Sequence, residues 1–111
     1  MSSLGTRQEA FMRLLPRLID KAHELGFEIR GGDLFRDKRV HGEYGVKRSY
    51  ASAYSKHKLK LAIDLFLTKD GVYLTATEDY KVLGLWWESL DPLCEWGGHF
   101  NDGNHFQVKA P

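Results

Sequence analysis

The sequence has little of the material that holds small secreted domains together or anchors a protein in a membrane. It contains one cysteine, Cys94, so no disulfide can form within the chain, and the oxidised framework of a small secreted domain is excluded. No apolar stretch reaches the roughly 20 residues that a membrane-spanning helix needs. Sixteen basic and fifteen acidic residues leave a formal charge of +1, which is too small for a protein that coats nucleic acid.

The sequence does supply enough apolar material for one core. Of its 111 residues, 42% are hydrophobic and 13% are aromatic, proportions that are typical of a folded globular protein. A chain of this length has room for one domain, which we expect to cover residues 1–111. The first seven residues lack the basic and then apolar pattern of a signal peptide. The composition therefore predicts a single soluble domain that is made in a cytoplasm, without membrane insertion and without a nucleic-acid partner.

Two stretches have the periodicity of amphipathic helices. Apolar side chains recur at helical spacing within residues 11–25, after a capping box formed by Thr6 and Glu9. A second helix is predicted to begin at Thr77, where acidic residues follow in the first turn. Its inner face is predicted to consist of Val82, Leu83, Trp86 and Leu90.

Two other stretches are predicted to be strands of one sheet. Residues 61–67 alternate, with an aliphatic side chain at every odd position, and a hairpin turn follows at residues 69–71. Residues 105–108 are predicted to form the last strand. Residues 36–56 are predicted to form a long polar loop, and loops of this length often carry function. We therefore expect an α+β fold, in which a mainly antiparallel sheet carries two helices on one face and a cleft on the other.

Four side chains indicate a metal site in that cleft. Asp64 interrupts an apolar strand, and a buried carboxylate needs a partner, a proton or a metal. If the strands pair, Asp64 and His105 project from one face, and His57 lies seven residues before Asp64. Two imidazoles and one carboxylate are a ligand set of catalytic zinc, and Asp102 would be the nearby general base. The alternative is a half-exposed aspartate with two surface histidines.

Two motifs resemble one enzyme family. Residues 55–64, SKHKLKLAID, resemble the S-x-H-x-x-G-x-A-x-D motif of the zinc D-alanyl-D-alanine peptidases. That family includes carboxypeptidases, vancomycin-resistance dipeptidases and phage L-alanyl-D-glutamate endopeptidases. Trp96-Gly97-Gly98, followed by Asp102-x-x-His105-Phe106, resembles the second signature of the family. The two motifs span about half of the chain and occur in the family's order.

The resemblance implies a role for each matched residue. His57, Asp64 and His105 would bind Zn²⁺, and Asp102 would be the catalytic base. An aspartate at this position, where the carboxypeptidase and dipeptidase branches have glutamate, resembles the phage endopeptidase branch. Lys60 departs from the pattern, because most members have glycine there.

The resemblance also implies three residues that contact or support the substrate. Arg36 would hold the substrate carbonyl or the developing oxyanion, and so act both in catalysis and in substrate binding. Ser55 would fix the loop that carries His57, and Trp96 would form part of the cleft wall.

The function implied is that of a phage or prophage endolysin. Such a monomeric zinc metallopeptidase, a single domain over residues 1–111, would cleave the L-alanyl-D-glutamate amide of the peptidoglycan stem peptide. It would be made in the host bacterial cytoplasm and would reach the cell wall after the membrane is permeabilised. One alternative is a D-alanyl-D-alanine carboxypeptidase, and another is a non-catalytic zinc-containing binding module, as in the hedgehog signalling domain. A metal nuclease built on His99, Asn101 and His105 is the weakest alternative.

Overall fold

An antiparallel sheet of five strands forms the centre of the fold in a computed structural model that describes residues 2–49 and 52–111. The strands are β1 (Glu28–Gly31), β2 (Ala62–Lys69), β3 (Val72–Tyr73), β4 (Cys94–Trp96) and β5 (His105–Val108). Four of them lie in the order β1-β2-β5-β4, and β3 pairs with β2 outside this order. The long strand β2 is therefore central and pairs with three others.

The alternating pattern predicted for the central strand is confirmed. Its odd positions point into the core, with side chains exposed by 8% or less at Leu61, Ile63, Leu65 and Leu67. The predicted hairpin turn is also present, because Lys69 pairs with Val72 and only two residues connect β2 to β3. Both of these residues, Asp70 and Gly71, have positive φ angles of 52° and 78°, as a type I′ turn requires.

The helices are α1 (Leu4–Glu24), the one-turn α2 (Lys38–His41) and α3 (Lys81–Leu90). The predicted cap at Thr6 is wrong: Ser3 is the N-cap, and its hydroxyl accepts a hydrogen bond from the backbone N–H of Thr6. The first helix ends at Glu24, and Gly26 follows it with a φ of 91°. Within the predicted loop of residues 36–56, α2 is the one α-helix that the structure describes, and a 3-10 turn, Lys56–Leu59, begins at the last residue of the loop.

The second long helix starts later than predicted and presents a different face. A 3-10 turn, Thr77–Tyr80, precedes it, and Ala76 rather than Thr77 is the cap of that turn. Within α3, Val82 is 65% exposed, whereas Leu83 and Trp87 are fully buried. The prediction that Val82 lies on the inner face is therefore wrong.

The helices α1 and α3 pack on one face of the sheet, as predicted for the α+β fold. Trp87 of α3 lies between two rings, with edge contacts to Phe11 at 6.3 Å and to Phe106 at 6.5 Å. Its indole N–H donates to the backbone carbonyl of Gln107 at 3.1 Å. Among the described residues, no helix combines the length and apolar content needed to cross a bilayer. The opposite face of the sheet carries Asp64 of β2 and the polar side chains of His105 and Gln107 of β5.

Candidate metal centre

Three side chains that the sequence predicts as ligands meet on the polar face of the sheet. Asp64 of β2 and His105 of β5 are directly paired across the strands, which places both side chains on one face. His57 reaches them from the 3-10 turn Lys56–Leu59, which precedes β2. Its Nε2 atom lies 3.1 Å from Asp64 Oδ1 and 3.2 Å from His105 Nδ1, and the remaining pair is 3.4 Å apart.

These three atoms form a triangle that matches a metal site. In a tetrahedral zinc site with bonds of about 2.0–2.1 Å, two ligand atoms lie roughly 3.3 Å apart. The measured separations of 3.1 Å, 3.2 Å and 3.4 Å lie close to that value. Both imidazoles are buried, with 1% of His57 and 6% of His105 exposed. The cluster of His57, Asp64 and His105 can therefore hold a metal ion.

The outer nitrogen of each imidazole faces a hydrogen-bond acceptor. His57 Nδ1 lies 3.3 Å from the backbone carbonyl of Leu34, and His105 Nε2 lies 2.6 Å from the amide oxygen of Gln107. Gln107 is oriented in turn because its amide N–H donates to a carboxylate oxygen of Glu95 at 2.9 Å. These acceptors place the proton of each neutral imidazole on its outer nitrogen, as in most histidine-metal sites.

The inner side of the cluster is consequently rich in lone pairs. With their outer nitrogens protonated, neutral His57 and His105 each turn an unprotonated nitrogen toward the Asp64 carboxylate. Burial raises the pKa of Asp64, but when the imidazoles also carry a proton on these inner nitrogens, their hydrogen bonds and positive charge outweigh burial and hold that pKa well below its usual range. A cation, either a proton or a metal, is therefore needed at the centre of this triangle.

Ser55 and Arg36 brace the turn that carries His57. The Ser55 hydroxyl accepts a hydrogen bond from the backbone N–H of His57 at 3.2 Å and another from Arg36 Nη1 at 3.0 Å. Arg36 also donates from Nε to Asp33 at 3.2 Å, and its Nη2 lies 3.9 Å from Asp64 Oδ2. Both residues line the cleft beside the cluster.

Asp102 lies next to the cluster but outside it. Its carboxylate is 3.8 Å from His105 Nδ1, and its side chain is 49% exposed. The backbone holds this position: Asn101 adopts a left-handed φ of 60°, and the N–H of Asp102 donates to the carbonyl of Gly97 at 2.9 Å. A carboxylate that is near the ligands and open to solvent can accept a proton from water.

Trp96 does not line the cleft, contrary to the prediction. It is 4% exposed, and its indole N–H donates to the carbonyl of Gly103 at 2.7 Å. Its ring fits between two glycines, because a Cβ atom would lie 2.1 Å from the ring at Gly84 and 2.2 Å from it at Gly98. A Cβ at Gly97 would lie 2.3 Å from the carbonyl oxygen of Asp102. The Trp-Gly-Gly motif is thus a packing motif that supports the loop of Asp102.

The remaining predictions near the site have clear outcomes. His99 does not join the cluster: it is exposed, and its Nε2 lies 2.7 Å from Glu88 Oε1. Lys60 replaces the motif's glycine and still adopts the left-handed conformation, with φ 59° and ψ 35°. Sequence reasoning missed Gln107 and Glu95, although the position of Gln107 two residues after His105, on the same strand face, is a usable signal.

Comparison with known proteins adds no further constraint. None of the protein-family models matches the chain, and no curated protein matches it.

Proposed function

We propose that this protein is a zinc-dependent hydrolase of peptidoglycan that cleaves the L-alanyl-D-glutamate amide of the stem peptide. The observation that carries the proposal is the buried triangle of His57, Asp64 and His105, with a half-exposed Asp102 beside it. Two imidazoles and one carboxylate suit zinc, and three protein ligands leave a position for water, as in catalytic zinc sites. The peptide-bond substrate is supported by the two motifs that resemble the D-alanyl-D-alanine peptidases.

The side chains around the cluster fit amide hydrolysis. Zinc at this site would supply Lewis acidity toward water and toward the scissile carbonyl. Asp102 accepts a proton from the attacking water, whose oxygen bonds to the carbonyl carbon, and returns that proton to the leaving amine as the C–N bond breaks. Arg36 lines the same cleft, and its guanidinium stabilises the negative charge that develops on the carbonyl oxygen. Ser55 keeps both Arg36 and His57 in place.

The biological setting that we propose follows from this substrate. A phage or prophage endolysin of this kind acts as a monomer on the cell wall, after the inner membrane has been permeabilised. A D-alanyl-D-alanine carboxypeptidase would use the same residues on a different bond of the stem peptide. A non-catalytic binding module would have no need for a carboxylate placed like Asp102, 3.8 Å from a ligand nitrogen.

Digestion of purified peptidoglycan tests the proposal. The zinc-loaded protein should release fragments that begin with D-glutamate, identified by mass spectrometry, and Asp102→Asn should slow their release by about 100-fold or more while retaining zinc. Release of free D-alanine instead would identify the carboxypeptidase. Intact peptidoglycan after incubation with the fully zinc-loaded protein would contradict the proposed hydrolysis.

A further inference from the structure

The cleft is divided into two cavities of different chemistry that meet at Asp102. The larger cavity, about 460 Å³, contains the imidazoles of His57 and His105 and two basic residues, Arg36 and Lys56. The smaller cavity, about 220 Å³, is lined by aromatic, threonine and asparagine side chains, and Asp102 is the one charged residue among the described residues that line it. A substrate that crosses Asp102 therefore meets a cationic side and a neutral side.

Of the two cations in the larger cavity, Arg36 is already engaged. Its Nε donates to Asp33 at 3.2 Å, its Nη1 donates to Ser55 at 3.0 Å, and its Nη2 lies 3.9 Å from Asp64. Its charge is thus partly balanced by two carboxylates of the protein. A substrate anion gains less from such a group than from a cation without a carboxylate partner.

The other cation of the larger cavity, Lys56, has no carboxylate partner within ion-pair distance of its ammonium among the described residues. The ammonium instead lies 3.4 Å from the hydroxyl of Tyr44 and 5.6 Å from the centre of that ring. Tyr44 packs edge-on against Tyr54, another residue of the larger cavity, at 5.5 Å. Aromatic side chains thus hold the positive charge at the cleft wall, directly before the ligand His57.

We infer that Lys56 binds a free carboxylate on the substrate residue next to the scissile amide. The neutral smaller cavity then receives the uncharged residue on the other side of that bond. In the stem peptide, the carboxylate bound by Lys56 is the α-carboxylate of D-glutamate, and the uncharged group in the smaller cavity is the methyl side chain of L-alanine. The inference therefore rests on the proposed function. A carboxamide at the same position has the same shape but lacks the charge, and a charge-assisted hydrogen bond is stronger than a neutral one. Peptides amidated at that carboxylate are therefore poorer substrates.

Two matched peptides measure this selectivity. Both contain the L-Ala–D-Glu bond, and they differ only in carrying a carboxylate or a carboxamide at the α position of the D-glutamyl residue. The zinc-loaded wild-type protein should cleave the carboxylate form with about tenfold higher kcat/KM, mainly through KM. Lys56→Met should remove this preference by slowing cleavage of the carboxylate form alone, and Lys56→Arg should keep it. Zinc content should stay the same in every variant.

Lys60→Met is the matched control for a general effect of charge. Lys60 is a nearby cation that lies 5.0 Å from the ring of Phe35 and lines neither cavity, so its loss should leave the preference unchanged. Equal cleavage of both peptides by the wild type, an undiminished preference in Lys56→Met, or an equal loss in Lys60→Met would each overturn the inference and leave the proposed function intact. Failure to cleave either peptide or peptidoglycan would overturn both.

Discussion

Replacing Gln107 with leucine should weaken metal binding without removing any ligand. Gln107 is 9% exposed, and its amide oxygen, 2.6 Å from His105 Nε2, is the acceptor that holds the proton of this imidazole on the outer nitrogen. Leucine fills a similar volume but offers no acceptor. The imidazole of His105 can then carry its proton on Nδ1, 3.4 Å from Asp64, where the proton blocks the ligand position.

The expected loss is about 10- to 100-fold in zinc affinity, the usual effect of removing a partner of a metal-bound histidine. This range corresponds to about 1.4–2.8 kcal/mol of binding free energy. Competition between the metal-free protein and a chromogenic chelator of known zinc affinity measures the dissociation constant directly. Circular dichroism of the metal-free variant checks that the substitution has not unfolded the domain.

The control for this experiment is Glu95→Gln. Glu95 accepts the amide N–H of Gln107 at 2.9 Å, and a glutamine side chain retains an oxygen that can do the same. Zinc affinity should therefore change by less than about threefold in this control. A folded Gln107→Leu protein with wild-type zinc affinity would refute the argument that Gln107 sets the tautomer of His105.

Four further predictions concern single residues. Asp102→Asn should lower peptidoglycan hydrolysis by about 100-fold or more with full zinc content, because it removes a base and no ligand; wild-type hydrolysis would exclude Asp102 as the base. Because the folded-state pKa of Asp64 is lowered, its stabilising contribution to the metal-free protein is present above its unfolded pKa of about 4 and lost as pH falls through the folded value. Thermal melting from pH 7 to pH 2 should accordingly show a smaller acid-induced decrease for Asp64→Asn than for the wild type. Burial, with the nearby charge of Asp91, raises the pKa of Cys94 to about 12, so a thiol reagent at pH 8 should label it only in denaturant. Lys60→Gly should raise the free energy of unfolding by up to about 1 kcal/mol in urea titration, because glycine tolerates the left-handed conformation; Lys60→Ala should give no such gain.

Local patterns in the sequence were sufficient for several features of the fold. The alternation around Ile63 predicts a strand with one apolar face, because successive side chains of a strand point to opposite sides. Asp70-Gly71 predicts the hairpin, because both residues tolerate the positive φ that the turn requires. His57 and Asp64 could be identified as partners because a short turn leads directly into the strand, so their separation is limited by local geometry.

Other features depend on contacts between distant segments, which no local pattern contains. The start of α3 follows the 3-10 turn Thr77–Tyr80, whose Thr77 hydroxyl accepts a hydrogen bond from the N–H of Gly103, 26 residues away. The burial of Trp96, on strand β4, depends on the approach of Gly84 from helix α3.

The sequence by itself determined the ligand types and the strands that carry Asp64 and His105, because residue chemistry and the two-residue period of a strand are local properties. Only the tertiary structure decided the distances of 3.1–3.4 Å between the ligand atoms, since these require β2 and β5 to pair in one register. It also decided which cation of the cleft has no carboxylate partner among the described residues. Arg36 and Lys56 are both basic in sequence, but folding places Arg36 beside Asp33 and Lys56 beside an aromatic ring.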